Sequence, residues 1–235
     1  MTITSPHNEK LKEIRRLTRQ RRVRTRAGRF VAEGEDLLAA ADAAGWSAVE
    51  RLSAAGSGLP GLEVEPELLA GISGLGSGTR TLAVYQERWA PAATGPLCVY
   101  LHGVADPGNV GTVLRSAQAF GADSVAVGPG TADPYGPKAV RASMGAIFTV
   151  TLARADPPGR LPGPTVALVA GEGPPLQALE LRAATLMIGA ERQGLPRELV
   201  AGADHIARIP IASHSLNAAM AATVALYEIT RIPPQ

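Results

Sequence analysis

The sequence predicts an α/β protein in two parts. A smaller N-terminal α/β unit spans residues 1–88, a linker spans 89–96, and a larger domain with a parallel-rich sheet spans 97–235. Three observations carry this. Short, continuous apolar runs recur through the second half, as expected of parallel strands buried on both faces. Helical patterns separate several of them, the rhythm of a doubly wound sheet. Between the halves, Trp89-Ala-Pro-Ala-Ala-Thr-Gly-Pro96 has the composition of a linker.

In the first part, Asn8 is placed to cap a helix running through Arg26, with Leu11, Ile14, Leu17 and Val23 as its sparse apolar face. Phe30-Val-Ala reads as a short strand. Glu33-Gly-Glu then opens an alanine-rich helix that ends near Gly45. Trp46–Leu52 suits a strand, and the Gly/Ser/Ala/Pro-rich residues 53–61 a loop. Pro66 starts a short helix, Gly71–Gly78 is a flexible stretch, and Thr81–Tyr85 is strand-like.

In the second part, strands are expected at Leu97–His102, Ser124–Val127, Ile147–Leu152, Val166–Val169, Thr185–Ile188 and His205–Ile209. Helices are expected at Val110–Phe120, Lys138–Met144, Pro196–Ala201 and Ser215–Arg231. In the last of these, Leu216, Met220, Val224 and Tyr227 recur at helical spacing, which reads as a core-packing stripe.

Composition narrows the classes of function. Apolar residues make up 46% of the chain, enough for a buried core. A single cysteine, Cys98, excludes a disulfide framework and a cysteine-rich zinc site, and the four histidines lie at no metal-ligand spacing; no metal is expected. The N-terminus lacks the order of a signal peptide and no apolar run approaches a membrane span, so a cytoplasmic protein is expected. The net charge of +2 conceals an asymmetry. Residues 1–30 hold ten Lys/Arg against Glu9 and Glu13, a local +8 that leaves −6 for residues 31–235. Like charges crowded on one helix repel one another and point to a polyanionic partner. Arg15, Arg16, Arg19, Arg22 and Arg26 are the candidate nucleic-acid contacts.

Three short segments carry the chemistry. The first, Asp106-Pro-Gly-Asn-Val-Gly-Thr-Val-Leu-Arg115, follows a strand and opens a helix, where ligands of open α/β sheets bind and where helix amides favour anions. Asn109 either caps that helix or belongs to a site, and Arg115 is either a surface charge or reaches back to the strand ends. The second, Ile188-Gly-Ala-Glu-Arg-Gln-Gly-Leu195, is a strand running into a turn bracketed by Gly189 and Gly194, with Glu191 inside it. The third, Ile209-Pro-Ile-Ala-Ser-His-Ser-Leu-Asn-Ala218, ends a strand at Pro210 and leads into the alanine-rich helix. Ser213 or Ser215 would cap that helix, and Asn217, read as lying inside it, offers two donors and an acceptor. A Rossmann reading of Asp106-x-Gly108-x-x-Gly111 fails, because Val125-Ala-Val-Gly-Pro-Gly130 stands where that fold places an acid for ribose hydroxyls. No Gly-x-Ser-x-Gly elbow supports a Ser/His nucleophile.

In this order and spacing the three segments resemble the SpoU/TrmH group of RNA ribose 2′-O-methyltransferases, within the SPOUT superfamily. The resemblance covers residues 97–235. Residues 8–88 more loosely resemble the family's N-terminal substrate-binding domain, chiefly through Phe30-Val-Ala-Glu-Gly34, a likeness that makes RNA the ligand of Arg15, Arg16, Arg19, Arg22 and Arg26. It implies a deep trefoil knot, an exception to the usual scarcity of knots, and a homodimer with Ser215–Arg231 near the interface. It also implies S-adenosylmethionine bound by the knot loops, at Ala170, Gly171, Gly189, Ile209, Ser215, Leu216 and Asn217. Asn109, Arg115, Glu191, Ser215 and Asn217 fall on the family's catalytic positions. A guanidinium gives up its proton at high cost, so Arg115 is expected to clamp the developing alkoxide and RNA phosphate rather than act as base.

One departure stands out. Only Ala212-Ser213-His214 separate Ile211 from Ser215, a shorter loop than in many relatives. The intact Asn109, Arg115, Glu191 and Asn217 favour an RNA 2′-O-methyltransferase acting on ribosomal RNA, with transfer RNA as the other substrate class. The trimmed loop favours the alternative, a non-catalytic RNA-binding relative.

Overall fold

The computed structural model describes residues 2–74, 78–155 and 161–231. It comprises two compact units, Met1–Glu87 with Asp133–Phe148, and Arg88–Ala132 with Thr149–Gln235. Among the described residues, no helix is long and apolar enough to cross a membrane.

In the first unit, with helices and strands numbered along the whole chain, Asn8 caps α1 (Glu9–Arg19) by accepting from the Lys10 amide at 3.0 Å. Leu11, Ile14 and Leu17 form its buried face. The helix does not continue through Arg26. Gln20 turns extended, and a separate α2 (Arg21–Ala27) follows, closed by Gly28 at φ 60°. Val23 gives the reason. It lies nine residues after Ile14, about two and a half turns, so an unbroken helix would aim it away from the core that it packs against here.

β1 (Arg29–Glu33), α3 (Glu35–Ala43), β2 (Glu50–Ala54), β3 (Leu62–Val64), α4 (Pro66–Ile72) and β4 (Thr81–Gln86) complete the N-terminal stretch. The strands lie in the order β1-β4-β2-β3, antiparallel except for β2 with β3. The strand expected over Trp46–Leu52 starts at Glu50 and runs to Ala54, and β3 has no counterpart in the sequence reading. Residues 75–77, in the middle of Gly71–Gly78, lie outside the described residues.

Strand alternation buries both faces of this sheet. Val31, Leu82 and Val84 pack with Leu11, Ile14, Leu17, Leu69 and Ile72 on one face. Phe30 and Tyr85, opposite each other across β1 and β4, head an aromatic cluster on the other. That cluster accounts for the main departure from the sequence reading. Residues 133–148, including α6 (Pro137–Ala142), read as part of the second domain but pack in the first unit. Tyr135 lies 4.7 Å from Phe30 between ring centroids, and Phe148 lies 5.2 Å from both Trp46 and Tyr85. The Trp46 indole donates to the Phe148 carbonyl at 2.8 Å. Arg24, 6% exposed, ties the same segment in through Nε and Nη2 to Asp133 Oδ2 at 2.9 and 2.8 Å, while Nη1 donates to the Leu17 carbonyl.

The second unit is a sheet of six parallel strands in the order β10-β8-β9-β5-β6-β7. They are β5 (Leu97–Leu101), β6 (Ser124–Val127), β7 (Thr151–Arg154), β8 (Thr165–Leu168), β9 (Ala184–Ile188) and β10 (His205–Ala207). Each matches an expected strand except β7. There the 3-10 turn Ala146–Phe148 occupies the start of the predicted Ile147–Leu152 run and belongs to the first unit. Residues 89–96 do not hang free as a linker. Ala90 bridges to Ala153, the Trp89 ring stacks under the Arg154 guanidinium at 4.1 Å, and Ser124 donates to the Thr94 carbonyl. The helices are α5 (Pro107–Ala119), α7 (Arg197–Ala201) and α8 (Ala218–Thr230).

The stripe of large apolar residues on α8 is not core. Met220 is 62% exposed and Tyr227 53%, with Val224 also exposed. The helix instead buries Ala218, Ala219, Ala222, Ala225, Leu226 and Ile229. Small side chains let α8 lie close on α5, where Ser116 and Thr223 hydroxyls meet at 2.6 Å, and that close packing turns the larger residues outward.

Arg24 is the arginine of the basic segment that the fold consumes. Removing one partner of a buried ion pair strands the other, at a cost of about 3–5 kcal/mol. Arg24→Ala is therefore expected to lower the urea unfolding midpoint by that equivalent, while Arg22→Ala, at an exposed position, leaves it within about 0.5 kcal/mol of wild type.

Candidate active site

The three sequence motifs meet at the carboxyl ends of the parallel strands, where open α/β sheets bind ligands. Their side chains form a hydrogen-bonded chain with one direction. Asp106 caps α5, its carboxylate accepting from the amides of Gly108 at 2.6 Å and Asn109 at 3.2 Å. Asn109 is thus freed from capping. Its Nδ2 donates to Glu191 Oε1 at 2.7 Å, and its Oδ1 accepts from Asn217 Nδ2 at 3.1 Å. Asn217 is not inside the last helix. It is the N-cap of α8, its Oδ1 accepting from the Ala219 and Met220 amides at 2.9 and 3.3 Å. Neither Ser213 nor Ser215 caps that helix.

The polarity of this chain is fixed by covalent chemistry. Backbone N–H groups only donate, so Asn217 must turn its oxygen to them and its amide nitrogen to Asn109. Asn109 must then accept with oxygen and donate with nitrogen, which requires an acceptor at Glu191. An orientation that is normally a matter of assignment is here imposed from one end.

Glu191 sits on a tight hairpin. Ala190 and Gly194 exchange backbone hydrogen bonds at 3.1 and 2.9 Å, and Gly194 adopts φ 68°. A Cβ on Gly189 would overlap the Gly194 carbonyl carbon and the Leu195 nitrogen, so this position tolerates only glycine.

Behind the hairpin lies a cleft of about 370 Å³, within the range of small-molecule sites. Leu168, Ile188, Ile209, Ile211 and Leu216 make its apolar walls, and Glu191, Gln193 and Ser215 contribute polar groups. Of the predicted cofactor residues, Ala170, Gly189, Ile209, Ser215 and Leu216 line it, whereas Gly171 and Asn217 do not. Ile188, Ile211 and Gln193 were not among the candidates, although each is the end of a strand run or adjoins a named motif residue. The short Ala212–His214 loop is exposed, with Ser213 donating to the Ser215 carbonyl at 3.3 Å. It still brings Ile211 and Ser215 to the cleft wall.

Arg115 is exposed on α5 and, among the described residues, makes no hydrogen bond or ion pair. The buried positions of that helix belong to Val110, Gly111, Val113, Leu114, Ser116 and Ala117. In the first unit, Arg16, Arg19, Arg22 and Arg26 are exposed and Arg15 is half-buried, none of them in an ion pair among the described residues. Lys12 and Arg29, by contrast, pair with Glu9 and Glu13, and Lys10 with Glu50. Among the described residues no cluster of His, Cys, Asp or Glu could hold a metal ion.

Asn217 separates two roles that substitution can pull apart. Asn217→Ala loses the cap, and unfolding free energy should fall by about 0.5–2 kcal/mol. Asn217→Asp keeps the cap but sets a carboxylate oxygen against Asn109 Oδ1. Its stability should stay within about 1 kcal/mol of wild type, while the Asn109 side-chain amide resonances move in an NMR spectrum because the chain has lost its donor.

Comparison with known proteins gives the family. Residues 96–227 match the SpoU rRNA Methylase family. Over 140 residues the chain is 36% identical to the 23S rRNA (uridine(2479)-2'-O)-methyltransferase of Streptomyces viridochromogenes, an alignment covering 53% of this chain and 49% of that protein. The chain thus spans about half of that relative's length. It is 27% identical over 244 residues to the 23S rRNA (guanosine(2553)-2'-O)-methyltransferase of Bacillus subtilis, covering 97% of this chain and 98% of that one. The AdoMet-bound rRNA methyltransferase from Sinorhizobium meliloti superposes with a TM-score of 0.86 at 30% identity, over 98% of this chain and 97% of that one. A parallel sheet whose strand ends carry the three linked motifs, matched by the family pattern over more than half of the chain, makes this protein a member of the SpoU rRNA Methylase family.

Proposed function

We propose that the protein is an S-adenosylmethionine-dependent methyltransferase that modifies a ribose 2′-hydroxyl in RNA, with ribosomal RNA as the substrate class. The observation that carries this is the cleft at the strand ends, closed by the second and third motifs and tied to the first through Asn109. The relatives named above favour the catalytic reading over an RNA-binding protein without activity. Such work belongs in the cytoplasm.

The cleft suits the cofactor. Its apolar walls suit an adenine ring, and Glu191, Gln193 and Ser215 offer polar groups to the rest of such a ligand. Ala170, Gly189, Ile209, Ser215 and Leu216 would hold it, with Gly171 and Asn217 shaping the loops behind them. When bound, S-adenosylmethionine supplies an electrophilic methyl group. The chain supplies positioning, which is worth much of such a barrier. Glu191, held by Asn109, fixes the hairpin at the cleft mouth. The guanidinium of Arg115 would clamp the ribose oxygen and adjacent phosphate, while the hydroxyl proton passes to solvent water.

The first unit, Met1–Glu87 with Asp133–Phe148, acts as the RNA-binding domain, with Arg15, Arg16, Arg19, Arg22 and Arg26 as phosphate contacts, and the second unit, Arg88–Ala132 with Thr149–Gln235, as the methyltransferase domain. The reading includes a trefoil knot in the loops around the cleft, as membership of the SpoU family implies. It also includes a homodimer in which a second copy covers Met220, Val224 and Tyr227, an apolar face that a solitary chain would leave in water.

Incubation with labelled S-adenosylmethionine and unmodified ribosomal RNA should yield a 2′-O-methylnucleoside on digestion. Arg115→Ala should cut the rate by about 10²–10³-fold while leaving cofactor affinity, measured by calorimetry, unchanged. A base-methylated product, or full turnover by the variant, would overturn the assignment. The double variant Met220→Glu, Tyr227→Lys should sediment as a monomer where the wild type sediments as a dimer.

A further inference from the structure

A second cleft, of about 490 Å³, opens on the other side of the Ala190–Gly194 hairpin. It is lined by His102, Gly103, Pro129, Gly130, Gln193 and Pro196, and it shares Ala190, Gln193 and Gly194 with the first. The hairpin is therefore a partition between two chambers. Resting on the methyltransferase reading above, we infer that this second cleft is the subsite for a nucleobase of the RNA substrate, and that His102 reads the base edge.

The walls have the chemistry a nucleobase requires. Pro129 and Pro196 offer apolar surfaces, and Gly103, Gly130 and Gly194 expose peptide planes on which a flat ring can stack. The floor has to be bare. Gly103 and Gly130 adopt φ 69° and 73°. A Cβ on Gly103 would come within 3.2 Å of the Ala190 Cβ, and one on Gly130 within 3.2 Å of the Gly103 Cα.

His102 is the oriented polar group. Its Nδ1 lies 3.0 Å from the Tyr100 hydroxyl. Tyr100 is fully buried, and a Cβ on Gly128 would overlap its hydroxyl, so the tyrosine that steers the imidazole is itself confined. Nε2 of His102 takes no partner among the described residues. Whichever tautomer the Tyr100 contact selects, one polar edge of the ring remains for a ligand. With the methyl donor in one chamber, the acceptor nucleotide must come against the same partition, and this cleft is the space there.

The test follows the His102 ring in wild-type protein by NMR, its resonance identified by its loss in His102→Gln. Each of the four nucleoside 5′-monophosphates is titrated in turn, and S-adenosylmethionine is titrated separately. The expected result is a saturable shift of His102 with at least one nucleotide while His205, on β10, stays still. In steady-state assays His102→Ala should raise KM for RNA about tenfold, the loss of one hydrogen bond to a base edge, with cofactor affinity unchanged. No His102 response to any nucleotide at millimolar concentration would overturn the subsite. So would the same response to S-adenosylmethionine alone, which would assign the cleft to the cofactor. A His102 response in a protein that transfers no methyl group would keep the subsite and sink the methyltransferase reading instead.

Discussion

The site depends on a chain of two carboxamides and a carboxylate that runs one way only. Its origin is the start of α8, where two backbone amides need an acceptor and Asn217 supplies it. Every later group is then committed: Asn217 nitrogen to Asn109 oxygen, Asn109 nitrogen to Glu191. Helix capping, ordinarily a local matter worth about 1 kcal/mol, here sets the orientation of an acid 26 residues earlier in sequence. Losing any member reverses or empties the contacts that follow it.

The second constraint is steric. The hairpin that carries Glu191 folds back so tightly that Gly189 has no space for a side chain. That closeness keeps the partition between the two clefts thin. Gly103 and Gly130 do the same for the far chamber, each at a positive φ that other residues adopt only under strain. Two cavities backed by one short turn place their contents near each other without any element of the sheet moving.

Much of this could be read from the residues. Continuous apolar runs located the strands of the second unit, because a strand covered on both faces has no polar alternation to mislead. Gly189 and Ser215, beyond the ends of such runs, pointed to the cleft lining, while Asn109 and Asn217 proved to form the hydrogen-bonded chain. Other features could not be read, each for a physical reason. Asn217 looked like a helix-interior residue because Ser213 and Ser215 are equally acceptable caps on chemistry alone. Periodicity showed that Met220, Val224 and Tyr227 share a face, but the alanines opposite pack closer, and periodicity does not say which face wins. The aromatic cluster of Phe30, Trp46, Tyr85, Tyr135 and Phe148 joins residues separated by up to 118 positions, with no local pattern to announce it. His102 gained meaning only when tertiary contacts left one side of its ring unclaimed.

The placement of residues 133–148 in the first unit has a consequence for how the chain comes into being. The N-terminal sheet needs Tyr135 and Phe148 for one of its two faces and Asp133 for the Arg24 guanidinium. On the ribosome, the first 88 residues emerge without them. The first unit therefore cannot finish folding as soon as residues 1–88 have been made, although domains generally fold as units during synthesis. It must wait until β5, α5 and β6 have been made. Birth order and folding order are decoupled, and an unsatisfied arginine and an open aromatic face persist on the nascent chain for that interval.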